Sequence, residues 1–239
     1  MPNPVVLNNV THKDLKINPV HNSQNTESLM IALALPFEFR SLQHEYPIVF
    51  YKDEKQQFHA VVLLGLEQNE NLYANQFGWD ASYIPLMVQR QPFLIGQRPA
   101  NDDGERQTVL LVDTDSPKLS HIEGEPLFLA HGGHSAHLQK VTDILSAIQE
   151  REQETRAFIN TLTEYELLES FYLDVDMGND RKHRLNGYYT INEDKLRTLT
   201  DAQVLHLHKT GMLALIHFVL ASQANFAELI DKKRARQSE

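Results

Sequence analysis

The densest cluster of potential ligand side chains is His131-Gly132-Gly133-His134-Ser135-Ala136-His137. Neutral imidazoles are the commonest protein ligands of zinc and similar ions, and a glycine pair lets a loop wrap one. The spacing argues against that use. Imidazoles three apart across a loop-to-helix junction set no coordination geometry, and no neighbouring carboxylate offers a further ligand. His131, His134 and His137 are therefore weak metal candidates, and the preferred reading is a polar loop ending in Ser135 as a helix cap. His206, His208 and His217 fall in one predicted helix. His206 and His217 share a face there, but about three turns apart, too far for one ion. Asp174-Val175-Asp176-Met177-Gly178-Asn179-Asp180 alternates carboxylates as a calcium loop does, yet the twelfth position from Asp174 is Leu185, not a bidentate glutamate. A hairpin turn accounts for it better. No metal site is favoured and no cofactor is expected.

The preferred ligand surface is Gly78-Trp79-Asp80 with Tyr83 and Arg90. An aromatic ring, a carboxylate and a guanidinium beside a short helix suit a peptide or another polar ligand. The competing reading makes Trp79 a core anchor and Asp80 a cap. No nucleophile elbow, phosphate-binding glycine loop, dinucleotide fingerprint or paired-histidine zinc helix is present. Asp113 and Asp115 are of a type that does acid-base work, but their spacing names no partner.

The elements that must position these residues belong to a chain of 239 residues with 41% hydrophobic and 23% charged residues, the composition of a water-soluble globular protein that folds unaided. The absence of cysteine removes disulfides, thiolate metal sites and thiol nucleophiles together. A net charge of −10 opposes a phosphate backbone, so no nucleic-acid partner is expected. Lys232-Lys233-Arg234-Ala235-Arg236 reads as a solvated tail at a helix C-terminus. The apolar runs 29–35 and 211–221 are shorter than the roughly 20 residues of a bilayer span, so no transmembrane segment is expected. Met1 to Leu7 lacks the basic start and long apolar run of a signal peptide, which makes a cytoplasmic location the expectation.

Residues 1–28 are polar and predict an arm over the fold. Residues 29–134 predict a β-rich half. Tyr46–Tyr51 and Phe58–Leu64 form a hairpin around Asp53–Gln57, with Leu72–Ala74 as a third strand. A short helix starts at Pro85. Phe93–Ile95 and Thr108–Val112 are further strands about a turn at Asn101–Gly104. Residues 135–239 predict a helix-rich half, with helices over 136–151 and 154–165 and a hairpin of 171–177 with 184–191. The last long helix starts at Thr200-Asp201 and turns Val204, Leu205, Met212, Leu215, Ile216, Val219 and Leu220 to the core. Gly211 marks either a helix crossing or a break within it. The fold class is α+β: a β-rich N-terminal half packed on a helix-rich C-terminal half that contains one β-hairpin.

Several blocks in order resemble the SapC family of bacterial surface-layer-associated proteins. They are Leu42-Gln43-His44-Glu45-Tyr46-Pro47-Ile48-Val49-Phe50, Val61-Val62-Leu63-Leu64-Gly65-Leu66 and Gly78-Trp79-Asp80-Ala81-Ser82-Tyr83-Ile84-Pro85, then Arg90-Gln91-Pro92-Phe93, Val112-Asp113 and Gly124-Glu125-Pro126-Leu127-Phe128. Leu185 to Leu196 and Thr210 to His217 continue the likeness. The resemblance implies an association with surface layers and their export and no general catalytic signature. The expectation is a cytoplasmic, non-enzymatic accessory or binding protein with a protein or peptide partner; the oligomeric state is not readable. Two alternatives stand beside it: a metal- or small-molecule-dependent enzyme with its pocket between the two halves, and a structural subunit of the layer itself.

Overall fold

The computed structural model of the chain describes residues 3–26, 28–99, 106–176 and 182–237. In chain order these form β1 (Pro4–Val6), β2 (Lys16–Ile17), α1 (Ser23–Thr26), β3 (Ile31–Leu33), α2 (Phe39–Leu42), β4 (Ile48–Lys52), β5 (Phe58–Leu63), α3 (Leu86–Gln89), β6 (Phe93–Pro99) and β7 (Arg106–Asp113). Then follow β8 (Leu119–Ser120), β9 (Glu125–Pro126), α4 (Ala136–Glu150), α5 (Glu152–Glu164), β10 (Leu168–Asp176), β11 (Lys182–Ile191), α6 (Glu193–Arg197), α7 (Asp201–Lys209), α8 (Met212–Ser222) and α9 (Asn225–Gln237). The chain is α+β, with sheets mainly in its N-terminal half and helices mainly in its C-terminal half.

Among the described residues the largest sheet has the order β10-β11-β4-β5-β3, antiparallel throughout. The hairpin of β4 and β5 closes where Asp53 Oδ1 accepts the Gln57 amide at 2.8 Å, an Asx device that satisfies the turn's backbone. The hairpin of β10 and β11 then joins this sheet, with Tyr188 opposite Tyr51 and Tyr189 opposite Phe50. Its tip, expected at Gly178-Asn179-Asp180, lies outside the described residues, as does the turn expected at Asn101–Gly104. The third strand expected at Leu72–Ala74 is not a strand. Asn71 Oδ1 accepts the Tyr73 amide and Asn75 Oδ1 accepts the amides of Phe77 and Gly78; side chains that bond their own backbone in this way draw it out of a ladder. Ile31–Leu33 takes the place beside β5 instead.

One apolar core joins this sheet to the C-terminal helices: Phe39, Leu42, Phe50, Val61 and Leu63 pack with Phe158, Leu162, Leu207, Ile216, Val219 and Leu229. A second core holds Leu15, Ile17, Phe93, Val112, Leu127, Phe128, Leu138, Val141 and Leu145. It lies among the sheets β1-β7-β6 and β8-β2-β9 and helix α4. The segment expected as a polar arm thus contributes β1, which pairs with β7, and β2, flanked by β8 and β9. Ser135 caps α4 by accepting the Leu138 amide, as its position predicts.

Gly211 is a break, with φ at +76° and open space where a Cβ would stand. It ends α7 and caps the start of α8, so His206 and His217 lie on separate helices. The break also corrects the expected core positions: Val204 and Leu205 are 38% and 51% exposed while Leu207 is buried. From Met212 to Gln237 the helical stretch is long and apolar enough, by length and composition, to cross a bilayer. In this fold its residues Ile216, Val219, Phe226 and Leu229 are packed into the first core.

Candidate functional site

Trp79 and Tyr83 pack against the first core, and the exposed Asp80 beside Trp79 is held by an ion pair. Pro85 offers no capping side chain to α3. The buried Glu38 supplies one from a distance, its Oε2 accepting the Leu86 amide at 3.0 Å and the Tyr83 hydroxyl at 3.0 Å, while Oε1 accepts the Leu35 amide at 3.1 Å. Burial pushes the Glu38 carboxyl above its ordinary value, and these three donors partly offset it. Tyr46 donates to the Tyr83 carbonyl and accepts from Trp79 Nε1 at 2.7 Å. Trp79 also stacks on Tyr73, whose hydroxyl donates to the Glu45 carbonyl at 2.9 Å. Burial pushes the hydroxyls of Tyr46, Tyr73 and Tyr83 up, so all three stay protonated as donors.

Asp80 accepts from Lys232 Nζ at 2.6 Å, and that ammonium lies 5.1 Å from the Tyr73 ring centroid. The expected solvated tail is therefore a clamp. Lys233 is buried between Glu67 and Glu70, and Arg236 donates to the carbonyls of Asn71 and Ala74. Their heads bond to residues 67–80 rather than standing in solvent, so residue type alone misjudges their exposure.

Arg90 faces elsewhere. Its Nη1 donates to the Phe93 carbonyl at 2.7 Å and its Nε lies 3.4 Å from Met87 Sδ. Among the described residues neither bonded partner is anionic, and burial pulls the guanidinium below its ordinary value. Arg90 and Met87 form one end of an open groove of about 430 Å³, walled by Leu145 and Ile148 of α4 and running along Leu94, Ile95, Gly96 and Gln97 of β6. Four consecutive strand residues line it. Successive strand side chains alternate between faces, so the groove follows the edge of β6 rather than either face.

β6 is an edge strand: among the described residues its sheet has the order β1-β7-β6. The Asp113 amide donates to the Pro92 carbonyl at 3.1 Å, and Leu94 stands opposite Leu111. Antiparallel pairs alternate between bonded and non-bonded, so the backbone groups of Leu94 and Gly96 point to β7, and those of Phe93 and Ile95 point outward. The outward groups of Phe93 are both taken, its amide donating to the Arg90 carbonyl at 2.8 Å and its carbonyl accepting from the guanidinium. Arg90 closes the edge at Phe93, whereas among the described residues the outward amide and carbonyl of Ile95 have no hydrogen-bond partner.

The three loop histidines do not converge. His131 is exposed, His134 packs against Phe128, and His137 packs against Phe93. Among the described residues no three histidine, aspartate or glutamate side chains gather where they could hold a metal ion. Asp174 pairs with Arg184 across the β10-β11 hairpin at 2.5 Å and 2.7 Å. A basic cluster that sequence reading missed lies beside the second core. Lys118, 3% exposed, meets His21 Nδ1 at 2.5 Å. Among the described residues, His137 Nε2 is buried without a hydrogen-bond partner. Burial brings the Lys118 amine down to about 7, and burial and then the Lys118 charge bring the His21 imidazole down to about 3.

The signal for Glu38 was present in the sequence, as a single carboxylate inside the apolar run 31–39. Nothing local marks Tyr46, Tyr73 or Lys118, because their partners lie 37, 28 and 97 residues away.

A two-core α+β chain with an open edge strand bordered by a helix is the class that this fold and groove define. The sequence model described as SapC matches residues 7–229 of the 239, and the chain belongs to the SapC family. No curated protein and no solved structure matches it.

Proposed function

We propose that the chain is a non-catalytic binding protein that holds an extended stretch of polypeptide along strand β6. Its setting is the cytoplasm, and its partner belongs to surface-layer or exported-protein biology, the association that membership of the SapC family suggests. The observation that carries the binding role is the groove along the β6 edge. An open strand edge pairs with any extended backbone, and an adjoining apolar helix face gives alternate side chains a place to bury. The groove runs between the strand-rich and helix-rich halves, where an enzyme pocket would also lie. Its ionisable lining residues are Arg90, bonded to Phe93, and Glu152, paired with Arg156. Such a lining suits binding better than acid-base chemistry.

The test uses the labelled full chain on an array of randomised peptides of roughly ten residues, long enough to form one strand. Ile95→Pro removes the outward amide while leaving the donors that face β7, and Ile148→Glu puts a charge on the apolar wall. The expected result is peptide retention by the unaltered chain and its loss in both variants, with thermal melting confirming that each is folded. Retention of no peptide, or equal retention by folded variants, overturns the reading.

A further inference from the structure

Three features of the groove fix the chemistry of its ligand more narrowly, given that the chain binds an extended polypeptide there. The first is direction. The strand pairings described in this chain are antiparallel. A strand added to β6 in the same sense runs from the Gln97 end toward the Phe93 end and finishes at Arg90.

The second feature is closure. Arg90 occupies the outward amide of Phe93 with its own carbonyl and the outward carbonyl with its guanidinium. An added strand has no backbone partner beyond Ile95, so it must stop there or turn away. The third feature is charge. The Arg90 guanidinium presents five N–H donors. It is half-buried, and its bonds go to a neutral carbonyl and a thioether. A guanidinium with donors to spare is matched best by a carboxylate. The other charged lining residue, Glu152, is engaged by Arg156 at 2.5 Å.

We infer that the groove receives the C-terminal end of a polypeptide, pairing it antiparallel to β6 at Ile95 and holding its terminal carboxylate on Arg90. A chain that ends at Arg90 satisfies all three features at once: direction, an edge closed at Phe93, and a cation awaiting an anion. The apolar wall of Leu145 and Ile148 then takes a side chain close to that terminus.

Two matched libraries of randomised peptides of roughly eight residues, a single strand's length, test this. Both are immobilised through their N-termini, one ending in free carboxylates and the other in amides, and both are probed with the labelled full chain. Retention should favour the free acids by about tenfold or more, the scale of a charge-assisted hydrogen bond, with apolar residues enriched near the terminus. Arg90→Gln should abolish the preference for acid over amide, and Arg90→Lys should keep part of it. Thermal melting of both variants separates this effect from loss of fold. Equal retention of acids and amides by the unaltered chain overturns the carboxylate assignment and leaves edge-strand binding standing. Retention of neither library overturns both. A preference set by aspartate or glutamate side chains, regardless of the terminus, overturns the terminal assignment.

Discussion

Lys118 shows how a single side chain sets the pH response of the second core. Its amine meets the His21 imidazole, and its charge, with that of Lys140, acts on both His21 and His137, while Glu125 acts on His137 in the opposite sense. With the folded amine near 7 and the ordinary value near 10.5, the unfolded chain carries the extra proton between those limits. Stability therefore rises with pH across that window. The His21 imidazole, near 3 in the fold against 6.5, adds the same sign of slope between those values. Urea unfolding at pH 7 and pH 9 should show the protein more stable at pH 9 by about 2 kcal/mol, and Lys118→Met should remove most of the difference. A protein equally stable at both values would show that the amine keeps its charge. The same scale explains what the sequence withheld. Trp79, Asp80, Tyr83 and Arg90 were identifiable by type, yet the structure divides them: Trp79, Tyr83 and Asp80 are held by Tyr46, Glu38 and Lys232, and of the four Arg90 alone lines the groove.

At the scale of elements, local chemistry was a good guide where it acted over a few residues. The Ser135 cap and the apolar positions Leu138, Val141 and Leu145 define α4, and the polar turn at Asp53–Gln57 defines the β4-β5 hairpin. Prediction failed where a competing local bond or a distant partner decided the outcome. Asn71 and Asn75 draw the Leu72–Ala74 segment out of the sheet, and β1 and β2 gain their partners only from residues beyond 110. The edge position of β6 follows from strand order, which no stretch of sequence states. Gly211 was recognisable as a helix irregularity, and its left-handed backbone resolves the two readings. Gly211→Ala should cost about 1 kcal/mol, because the site has room for a methyl group but a conformation that L-residues resist. Gly211→Asn should cost less. Denaturant midpoints of the two variants test the order, and an Ala variant as stable as the parent would place the cost elsewhere.

Across the whole molecule, α9 fastens the C-terminal helices to the loop of residues 67–80. Lys233 is 7% exposed and lies between Glu67 and the 13% exposed Glu70. Removing one partner of a buried pair leaves the other without compensation, so Lys233→Ala should cost about 3 kcal/mol. Lys233→Met with Glu70→Gln should recover much of that loss, since both charges go together. If the single variant unfolds at the parental denaturant concentration, the clamp contributes little to stability.

The pairing of the chain's opening segment with strands a hundred residues later bears on its birth. Pro4 pairs with Asp113 and Lys16 with Pro126, and the Ile48 amide is bonded to the Ser222 hydroxyl. A ribosome adding about 5–20 residues each second delivers the first strands many seconds before their neighbours exist. During that interval Leu15, Ile17 and the apolar face of the β4-β5 hairpin stand uncovered. The nascent chain then exposes apolar surface that the finished fold covers, and its yield should rise with holdase supply.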